Sequence, residues 1–320
     1  MDKRTLLGLL LAAAATMAAP AFADDTAWPS RPIRILTPAA AGGAGDILAR
    51  EFGTRLSTRL GQPVIVENKP GANGAIATVA AARAPADGYT ILLTLTQHIQ
   101  APIQYKSIGY DPFDFTPLTR IGAVVTLLVV RPELGVHNAA DLLRLAPGKK
   151  WSFGATATGT QVVMEAFNKH RNLGLLSVPY KGEPAALTDL LGGQIDMALA
   201  TMAGAKPYLQ TGKLVPVGIS APQRAKSAPN IPTFAEQGVD DFGWVGWYGF
   251  LAPPGLPAPI ATRLKAEFKA ILNEPAMRTR LEALDMMNNF AEGDAFMADM
   301  KRDSANWAAL VKRSGLTFDR

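Results

Sequence analysis

Cysteine is absent from the 320-residue sequence, so the chain has neither a disulfide nor a thiolate that could serve as nucleophile or metal ligand. Histidine is scarce, and His98, His137 and His170 have no neighbour at the spacing of a zinc motif. The Gly-x-Ser-x-Gly turn of serine hydrolases is also missing. We therefore predict no catalytic residue, no metal and no cofactor, although a pair of carboxylates brought together by the fold stays open.

Charge blocks and long apolar runs are missing as well. The basic residues are scattered, without a block of five or six and without interleaved aromatic residues, which argues against nucleic acid as a partner. The formal net charge of +5 is mild and favours small anions in a general way. Beyond the N-terminal region, no stretch is long and apolar enough to span a bilayer.

The N-terminal region has the pattern of a secretory signal peptide. Lys3 and Arg4 form a basic start, residues 6–19 are small and apolar, and Ala21-Phe22-Ala23 matches a cleavage site. The apolar run of about 14 residues is shorter than the ~20 that a membrane helix needs. We predict a signal peptide at 1–23, cleaved near Ala23, and an exported protein. The alternative is a membrane anchor.

Short apolar segments alternate with helix-like periodicity along the rest of the chain, which predicts βαβ units and parallel, doubly wound sheets. A first set contains predicted strands at 33–37, 64–67 and 90–95. The predicted strands of a second set are 151–153, 176–178, 195–199 and 214–220. The run at 121–130 and the segment at 247–252 link the two sets.

Two α/β sets with two extended links predict two lobes separated by a cleft. The predicted boundaries place 24–124 and 248–320 in lobe 1 and 125–247 in lobe 2. The helical tail at 258–315 is expected to pack back on the first lobe. Ligands of open α/β sheets bind at the carboxyl ends of strands, where helices begin, so the candidate site lies in the turns at those ends.

The segment TPAAAGGAGDILAR at 37–50 joins a predicted strand to a predicted helix through three alanines and three glycines. A helix N-terminus has free N–H groups and the positive end of the helix dipole, so it can bind an anion. Asp46 is predicted to be the N-cap of this helix. A tight turn whose glycines serve only their backbone angles has the same sequence, so this alternative stays open.

The segment FGATATGTQ at 153–161 repeats this arrangement in the second set, with Thr158 or Thr160 as the predicted N-cap. Neither segment has the glycine spacing of a dinucleotide fold or the lysine of a phosphate loop. We expect the two turns to face each other across the cleft, where together they would bind a small carboxylate.

A longer, ordered set of motifs resembles a known family. The motifs are WPSRPIRILTP, GGAGDILAR, GQPVIVENKPGANGAIA, APADGYTILL, GYDPFDFTPLTRIG, VPYKGEPAALTDLLGGQIDM, GKLVPVGIS and WYGFLAPPGLP. From Trp28 to about Gly315 the chain resembles the substrate-binding receptors of tripartite tricarboxylate transporters, called Bug proteins. The resemblance implies a two-lobed α/β periplasmic binding protein (Venus flytrap, type II-like) with two crossing strands. It also implies a periplasmic receptor that passes a small organic carboxylate to membrane transporter subunits, and we expect this receptor to be a monomer.

The resemblance further implies that main-chain amides of two loops, helped by ordered waters, bind the ligand carboxylate. By position, the first loop is 39–46, with Gly42 and Gly43 as its double glycine, and the second is 155–160. The ligand-binding residues implied in this way are Ala39, Ala41, Gly42, Gly43, Ala44, Asp46, Thr156, Ala157, Gly159, Thr160 and Ala200.

The sequence departs from the family pattern at several positions. The alanines at 39–41 stand where many relatives have an aromatic residue and prolines, which implies a larger pocket or a bulkier, even aromatic, ligand. Val163 replaces a common histidine. Ala200 replaces an aspartate that could pair with a ligand ammonium group, so we expect a carboxylate without an amino group.

Other assignments stay open at this point. Lys181, Trp244, Trp247 and Tyr248 either line the cleft or have structural roles. A sensing module that contacts a sensor protein is an alternative to a transport receptor. An exported hydrolase or isomerase that uses a carboxylate pair is the alternative from the enzyme class.

Overall fold

The computed structural model describes residues 28–105, 107–287 and 289–318, so the predicted signal peptide lies outside the described residues. The strands are β1 (Ile33–Thr37), β2 (Val64–Asn68), β3 (Thr90–Leu95), β4 (Thr116–Val124), β5 (Thr126–Val130), β6 (Ser152–Ala155), β7 (Leu176–Pro179), β8 (Met197–Thr201), β9 (Val215–Ile219), β10 (Gly246–Ala252), β11 (Met286–Met287) and β12 (Ala291–Glu292).

The α-helices that connect these strands are α1 (Ala44–Leu60), α2 (Ala75–Ala82), α3 (Gln97–Gln104), α4 (Ala139–Leu145), α5 (Thr158–Arg171), α6 (Glu183–Leu191), α7 (Met202–Gln210), α8 (Ala258–Asn273), α9 (Pro275–Ala283) and α10 (Gly293–Ser314). Short 3₁₀ turns cover Ala72–Gly74 and Pro132–Leu134. Within the described ranges, none of these helices combines the length and apolarity that crossing a membrane requires.

The first sheet has the strand order β11-β4-β10-β3-β1-β2, with β12 paired to β4. β1 runs parallel to β2 and to β3, as the βαβ rhythm predicts. β10, however, runs antiparallel to both β3 and β4. The prediction of a parallel sheet is therefore wrong at β10. This strand enters the first sheet from the second lobe, at the edge where β3 and β4 end, and it therefore runs antiparallel to both.

The second sheet has the order β7-β6-β8-β5-β9. β6 is parallel to β7 and β8, whereas β5 is antiparallel to β8 and β9. Here too the antiparallel strand is the one that arrives from the other sheet. The apolar run at 121–130 is thus two strands, β4 and β5, which belong to different sheets.

The helices cover both faces of each sheet, and their apolar stripes form the cores. On α1, Leu48, Phe52 and Leu56 have no exposed surface, which matches their spacing of four residues. This helix ends at Gly61, whose φ of 69° is the left-handed conformation common just past a helix C-terminus.

The last helix, α10, packs on both lobes. Phe296 and Met300 in its first half lie in the core of the first lobe. Trp307 and Val311 in its second half lie in the core of the second lobe, beside α5. The expectation that the whole tail packs on the first lobe is therefore wrong for the second half of this helix. The apolar stripe of α10 continues beyond the first lobe and packs against the second.

Candidate functional site

The strand directions bring the predicted turns to the same cleft. β1, β2 and β3 run parallel to β4, so all four strands end at the edge where β4 continues into β5. In the second sheet, β6 and β8 run against β5 and end at the edge where β5 begins. The turns after β1 and after β6 therefore open toward each other from the two lobes.

The first turn leads directly into α1, but its cap differs from the prediction. Helix α1 begins at Ala44, so its N-cap is Gly43 rather than Asp46. Asp46 lies in the first turn of the helix, and its carboxylate accepts a hydrogen bond from the Gly42 N–H at 2.9 Å. Gly43, the N-cap, has no side chain that could accept a hydrogen bond. The Asp46 carboxylate instead accepts the hydrogen bond of the turn from within the first turn of the helix.

Asp46 is held by a compact polar cluster. The residue is only 4% exposed. Its carboxylate accepts from Arg50 Nε at 3.1 Å and from Asn68 Nδ2 at 2.9 Å. The hydrogen bond from Arg50 is the largest of the effects that lower the pKa of Asp46 to about 2. The carboxylate therefore stays charged and fixes the turn, and only its main-chain N–H remains available to a ligand.

Several N–H groups of the first turn have no partner. Among the described residues, no hydrogen bond is formed by the N–H groups of Ala41, Ala44 or Gly45, whereas those of Ala39, Gly42 and Gly43 are taken. Of these three residues, Ala41 and Ala44 are exposed and Gly45 is buried. The turn therefore presents open amides at the N-terminus of α1, where the helix dipole favours an anion.

The glycines of the first turn also have local structural reasons. Gly42 has a φ of +79°, in the left-handed region. A Cβ on Gly45 would lie 2.8 Å from Ala39 Cβ and 3.4 Å from Tyr248 Cε1. Conformation explains Gly42 and packing explains Gly45, so these glycines alone do not distinguish an anion site from a tight turn.

The second turn has the same organisation. Helix α5 begins at Thr158, so the N-cap is Ala157 and neither threonine takes the predicted role. Thr160 Oγ1 instead accepts from the Ala157 N–H at 3.1 Å and lies 3.2 Å from Thr156 Oγ1. In the described part of the chain, the N–H groups of Thr158, Gly159 and Thr160 have no hydrogen-bond partner. These amides point out of the N-terminus of α5.

The two lobes come close beside Gly159. A Cβ on this residue would lie 3.5 Å from the side-chain nitrogen of Gln100, which belongs to α3 of the first lobe. Gln100 is only 3% exposed. No pattern in the sequence indicated a role for this glutamine. Its position in the first turn of the helix that follows β3 was the feature that could have indicated it.

A third helix N-terminus at the same edge already holds a carboxylate of the protein. Glu183 accepts from the Thr201 N–H at 2.8 Å and from Thr201 Oγ1 at 2.9 Å, at the start of α7. Burial raises the pKa of Glu183, and the two hydrogen bonds from Thr201 oppose that rise. Glu183 occupies this position, and the VPYKGEP segment predicted a possible ligand contact only for Lys181.

Ala200 is not available to a ligand through its side chain. It lies in β8 with no exposed surface and packs in the core of the second lobe. The expectation that Ala200 contacts the ligand is therefore wrong for its side chain. Thr201, the next residue, is the one at the edge of the sheet. Val163 is likewise a core residue.

Two of the aromatic residues that stayed open, Trp247 and Tyr248, are neighbours in β10 and lie on its opposite faces. Trp247 is 2% exposed and packs edge-on against Phe296, with ring centroids 5.1 Å apart. Tyr248 lies on the opposite face, against Gly45, and burial raises its pKa to about 12. Trp244 packs against Trp307 at 5.0 Å. Lys181 is exposed. Tyr248 is thus the aromatic residue that contacts the first turn.

A cavity of about 820 Å³ lies elsewhere, against the crossing strands β4 and β10. Its walls come from β4, the segment after β9, β11 and α10, and they include Trp244, Trp247 and Met287. Neither turn contributes to these walls. The candidate ligand site therefore rests on the two turns and not on this cavity.

Two of the three histidines, His98 and His170, have partners within the protein. His98 is 1% exposed, and its Nε2 lies 2.9 Å from the carbonyl oxygen of Pro112. Burial lowers the pKa of His98 to about 4, so the ring is neutral. His170 lies beside Asp241 on the surface. Among the residues that the structure describes, no three His, Cys, Asp or Glu side chains form a group that could hold a metal ion.

The comparisons with known proteins agree with this architecture. The structure of the periplasmic binding protein BugD is similar to the chain with a TM-score of 0.75 and 30% identity, over 91% of this chain and 100% of that one. The structure of R. palustris Rpa4515 with adipate is similar with a TM-score of 0.78 and 30% identity, over 91% and 99%. Two α/β lobes joined by two crossing segments define the chain as a periplasmic binding protein.

The family follows from the sequence comparisons. Residues 48–316 match the model of the tripartite tricarboxylate transporter family receptor. Protein BugT of Bordetella pertussis is 30% identical over 322 residues, covering 97% of this chain and 96% of the relative. The chain belongs to this receptor family, as the ordered motifs indicated, and the family is a class of solute-binding receptors rather than of enzymes.

Proposed function

We propose that this receptor binds a small organic carboxylate between the N-termini of α1 and α5. The observation that carries the proposal is the pair of opposed turns with unpartnered N–H groups, at Ala44 and Gly45 in one lobe and at Thr158 and Gly159 in the other. Each helix N-terminus contributes roughly 0.3–1 kcal/mol to binding an anion. Hydrogen bonds to a charged group add about 1.5–3 kcal/mol each.

The remaining predicted residues have supporting roles in this proposal. Ala39 and Ala41 leave space around the first turn, and Gly42, Gly43 and Asp46 hold its shape. Thr156, Ala157 and Thr160 shape the second turn through the hydroxyl contacts of Thr160. The carboxylate contacts main-chain amides, and Tyr248 lies at the edge of the site.

We propose a ligand without an ammonium group. Ala200 cannot decide this, because its side chain is buried. Glu183 is the acid at this edge, but each of its oxygens already accepts a hydrogen bond from Thr201. The dipole of α7 further compensates its charge. A free ammonium in the closed cleft would therefore gain little from Glu183.

Delivery to a membrane transporter is the proposed role of the bound receptor. The family assignment supports it, and the relative Rpa4515 binds adipate, a small dicarboxylate, in its structure. We further propose export to the periplasm as a monomer, after cleavage near Ala23. The intact mass of the protein recovered from the periplasm tests the cleavage. A sensing role stays as the alternative, and pull-down of transporter subunits or of a sensor protein separates the two.

Isothermal titration calorimetry with a panel of carboxylates tests the ligand class. The panel contains adipate, succinate, benzoate, 2-oxoglutarate and glutamate. We expect at least one carboxylate to bind with a Kd near 1 μM, which corresponds to about −8 kcal/mol. We also expect 2-oxoglutarate to bind more tightly than glutamate. Tighter binding of glutamate, or no binding of any carboxylate, would contradict the proposal.

A further inference from the structure

The cavity of about 820 Å³ beside the crossing strands has walls from both lobes. In the first lobe, Ala123 of β4 and Trp247 of β10 line it. The second lobe contributes the segments 220–223 and 239–245. Sites for small organic molecules have volumes of about 300–1,000 Å³, so this cavity has room for one. Neither turn belongs to its walls, so a molecule bound there would be separate from the proposed carboxylate.

The inner surface of the cavity is mainly apolar and aromatic. Phe242 and Trp247 are 1% and 2% exposed, and Leu310 of α10 is buried as well. Trp244 is only partly buried, and its ring packs against Trp307 with the ring centroids 5.0 Å apart. Aromatic rings attract one another in offset-stacked and edge-to-face arrangements, beyond what their apolar area contributes. The walls therefore favour an aromatic molecule over an aliphatic one of the same size.

The charged side chains in the walls balance one another. They are three arginines and three aspartates, Arg120, Arg302, Arg313, Asp240, Asp241 and Asp303. Arg120 and Arg302 lie 2.7 and 2.6 Å from Asp299. Arg302 also lies 3.2 Å from Asp303, and the Asp241 carboxylate accepts from Arg171 Nε at 2.9 Å. Arg313 and Asp240 are exposed and opposite in sign. A charged ligand would be poorly compensated inside the cavity, which favours a neutral molecule.

Uncharged polar side chains lie at the rim of the cavity. Gln223, Asn289 and Asn306 line it and are exposed. Their carboxamide groups both donate and accept hydrogen bonds. A hydroxyl group also donates and accepts, so it matches a carboxamide in either orientation. The cavity thus combines aromatic walls with a rim that suits a neutral polar substituent.

We propose that this cavity is a second ligand site of the receptor, which binds a neutral aromatic molecule with a hydroxyl group, such as a phenol or a naphthol. The inference goes beyond the proposed function and does not depend on it, because the carboxylate site shares no residue with these walls. Both lobes contribute walls, so the bound molecule contacts both of them beside the crossing strands.

Nuclear magnetic resonance of the tryptophan indoles tests this site with 2-naphthol, which is neutral at pH 7. In protein labelled with ¹⁵N-tryptophan, 2-naphthol should shift the indole resonances of Trp244 and Trp247, because its rings lie against theirs. Trp28 packs in the first lobe and does not line the cavity, so its resonance should not move. The titration should give a Kd of about 100 μM or lower, within the usual range for so small a ligand.

The same titration with two analogues tests the ligand class. 2-Naphthalenesulfonate has the same rings and a negative charge, and decahydro-2-naphthol has the hydroxyl group without aromatic rings. Measured at Trp244 and Trp247, each should bind about fivefold more weakly than 2-naphthol. Equal or tighter binding of the sulfonate at these residues would overturn the neutral class, and equal or tighter binding of the saturated alcohol would overturn the aromatic class.

Ala309→Phe tests the location of the site. Ala309 is exposed on α10 and lines the cavity, so a phenylalanine there fills part of it without entering the core. This variant should bind 2-naphthol about tenfold more weakly, which is a large fraction of so modest an affinity. The matched control is Ala308→Phe, at the neighbouring exposed alanine outside the walls, which should keep the wild-type Kd.

Unchanged affinity in Ala309→Phe would overturn the inference, and so would saturating 2-naphthol that leaves Trp244 and Trp247 of the wild-type protein unshifted. A shift of Trp28 as large as theirs would also overturn it, because 2-naphthol would then bind without preference for the cavity. If Ala309→Phe lowers the unfolding temperature, Ala235→Phe replaces it. This variant fills the cavity from an exposed position of the second lobe and should weaken binding to the same extent.

Discussion

A substitution at Gly159 has different expected effects on ligand binding if the second turn is an anion site and if it has only a structural role. The φ of Gly159 lies outside the left-handed region, and a Cβ there would make only an ordinary contact with Gln100 at 3.5 Å. Gly159→Ala should therefore fold normally, while its methyl group obstructs the approach of a carboxylate to the N–H groups of α5. We expect binding to weaken about tenfold, the loss of one charge-assisted contact, by calorimetry.

The matched control is Gly192→Ala, which replaces an exposed glycine with a φ of −80° at the end of α6. It should leave both affinity and unfolding temperature near those of the wild-type protein. Full affinity in a folded Gly159→Ala protein would show that the second turn is scaffolding and does not contact the ligand.

Asp46 gives the first turn a pH dependence with a definite sign. Its pKa is lowered in the folded protein to about 2, so its stabilising contribution is present above the ordinary value of 3.8 and is lost as the pH falls toward 2. At neutral pH, Asp46→Asn should lower the free energy of unfolding by about 1 kcal/mol, the usual net contribution of one hydrogen bond. Urea unfolding at a series of pH values measures the difference.

The difference between wild type and Asp46→Asn should shrink as the pH falls from 4 to 2. The comparison with Asp114→Asn serves as a control, because Asp114 is an exposed aspartate outside both turns. A difference that grows in acid would contradict the role given to the carboxylate.

Single residues also show what the sequence could and could not predict. The two small-residue turns were recognisable, because a strand, a glycine-rich segment and a helix follow one another along the chain. The caps were predicted wrongly, since the choice between Gly43 and Asp46 depends on where the first helical turn closes. Glu183, Gln100 and Tyr248 were not assigned to the site, because each reaches it from an element that is distant in sequence.

Among the helices, α10 is one whose position the sequence indicated only for its first half. This helix is a further connection between the lobes, because its apolar stripe packs in the cores of both. Trp307→Ala should lower the free energy of unfolding by about 3–5 kcal/mol, as is usual for removing a buried aromatic side chain. It should also increase hydrogen exchange in the second half of α10.

Phe296→Ala is the matched variant in the first half of the same helix, where Phe296 packs against Trp247. It should destabilise the first lobe without loosening the second half of α10 in hydrogen-exchange measurements. The same exchange pattern in both variants would argue that α10 is a single unit attached to one lobe.

The crossing strands show why the sheet type was predicted only in part. Apolar runs of four to nine residues identify strands well, but the direction of each strand depends on the sheet that it joins. The run at 121–130 contains two buried strands in succession with no turn residue between them, so nothing local marks the passage from one sheet to the other. The lobe boundaries at 124–125 and 247–248 remain proposals.

At the scale of the whole molecule, two lobes on two crossing segments should close around a ligand that contacts both. Only a ligand with different affinity for the open and closed forms shifts their equilibrium, and a carboxylate between α1 and α5 has that property. Small-angle X-ray scattering should show a smaller radius of gyration when the ligand identified by calorimetry is added at saturation. An unchanged scattering profile would contradict closure, and an unrelated anion such as chloride serves as the control.

Nuclear magnetic resonance of the main-chain amides tests the central claim most directly. In protein labelled with ¹⁵N-glycine, binding of the carboxylate should shift the amide proton resonances of Gly45 and Gly159 strongly downfield, because their N–H groups gain a hydrogen bond to a charged oxygen. Gly192, which lies outside both turns, should not move. Saturating carboxylate that leaves Gly45 and Gly159 unshifted would contradict the account that these two helix N-termini bind the ligand.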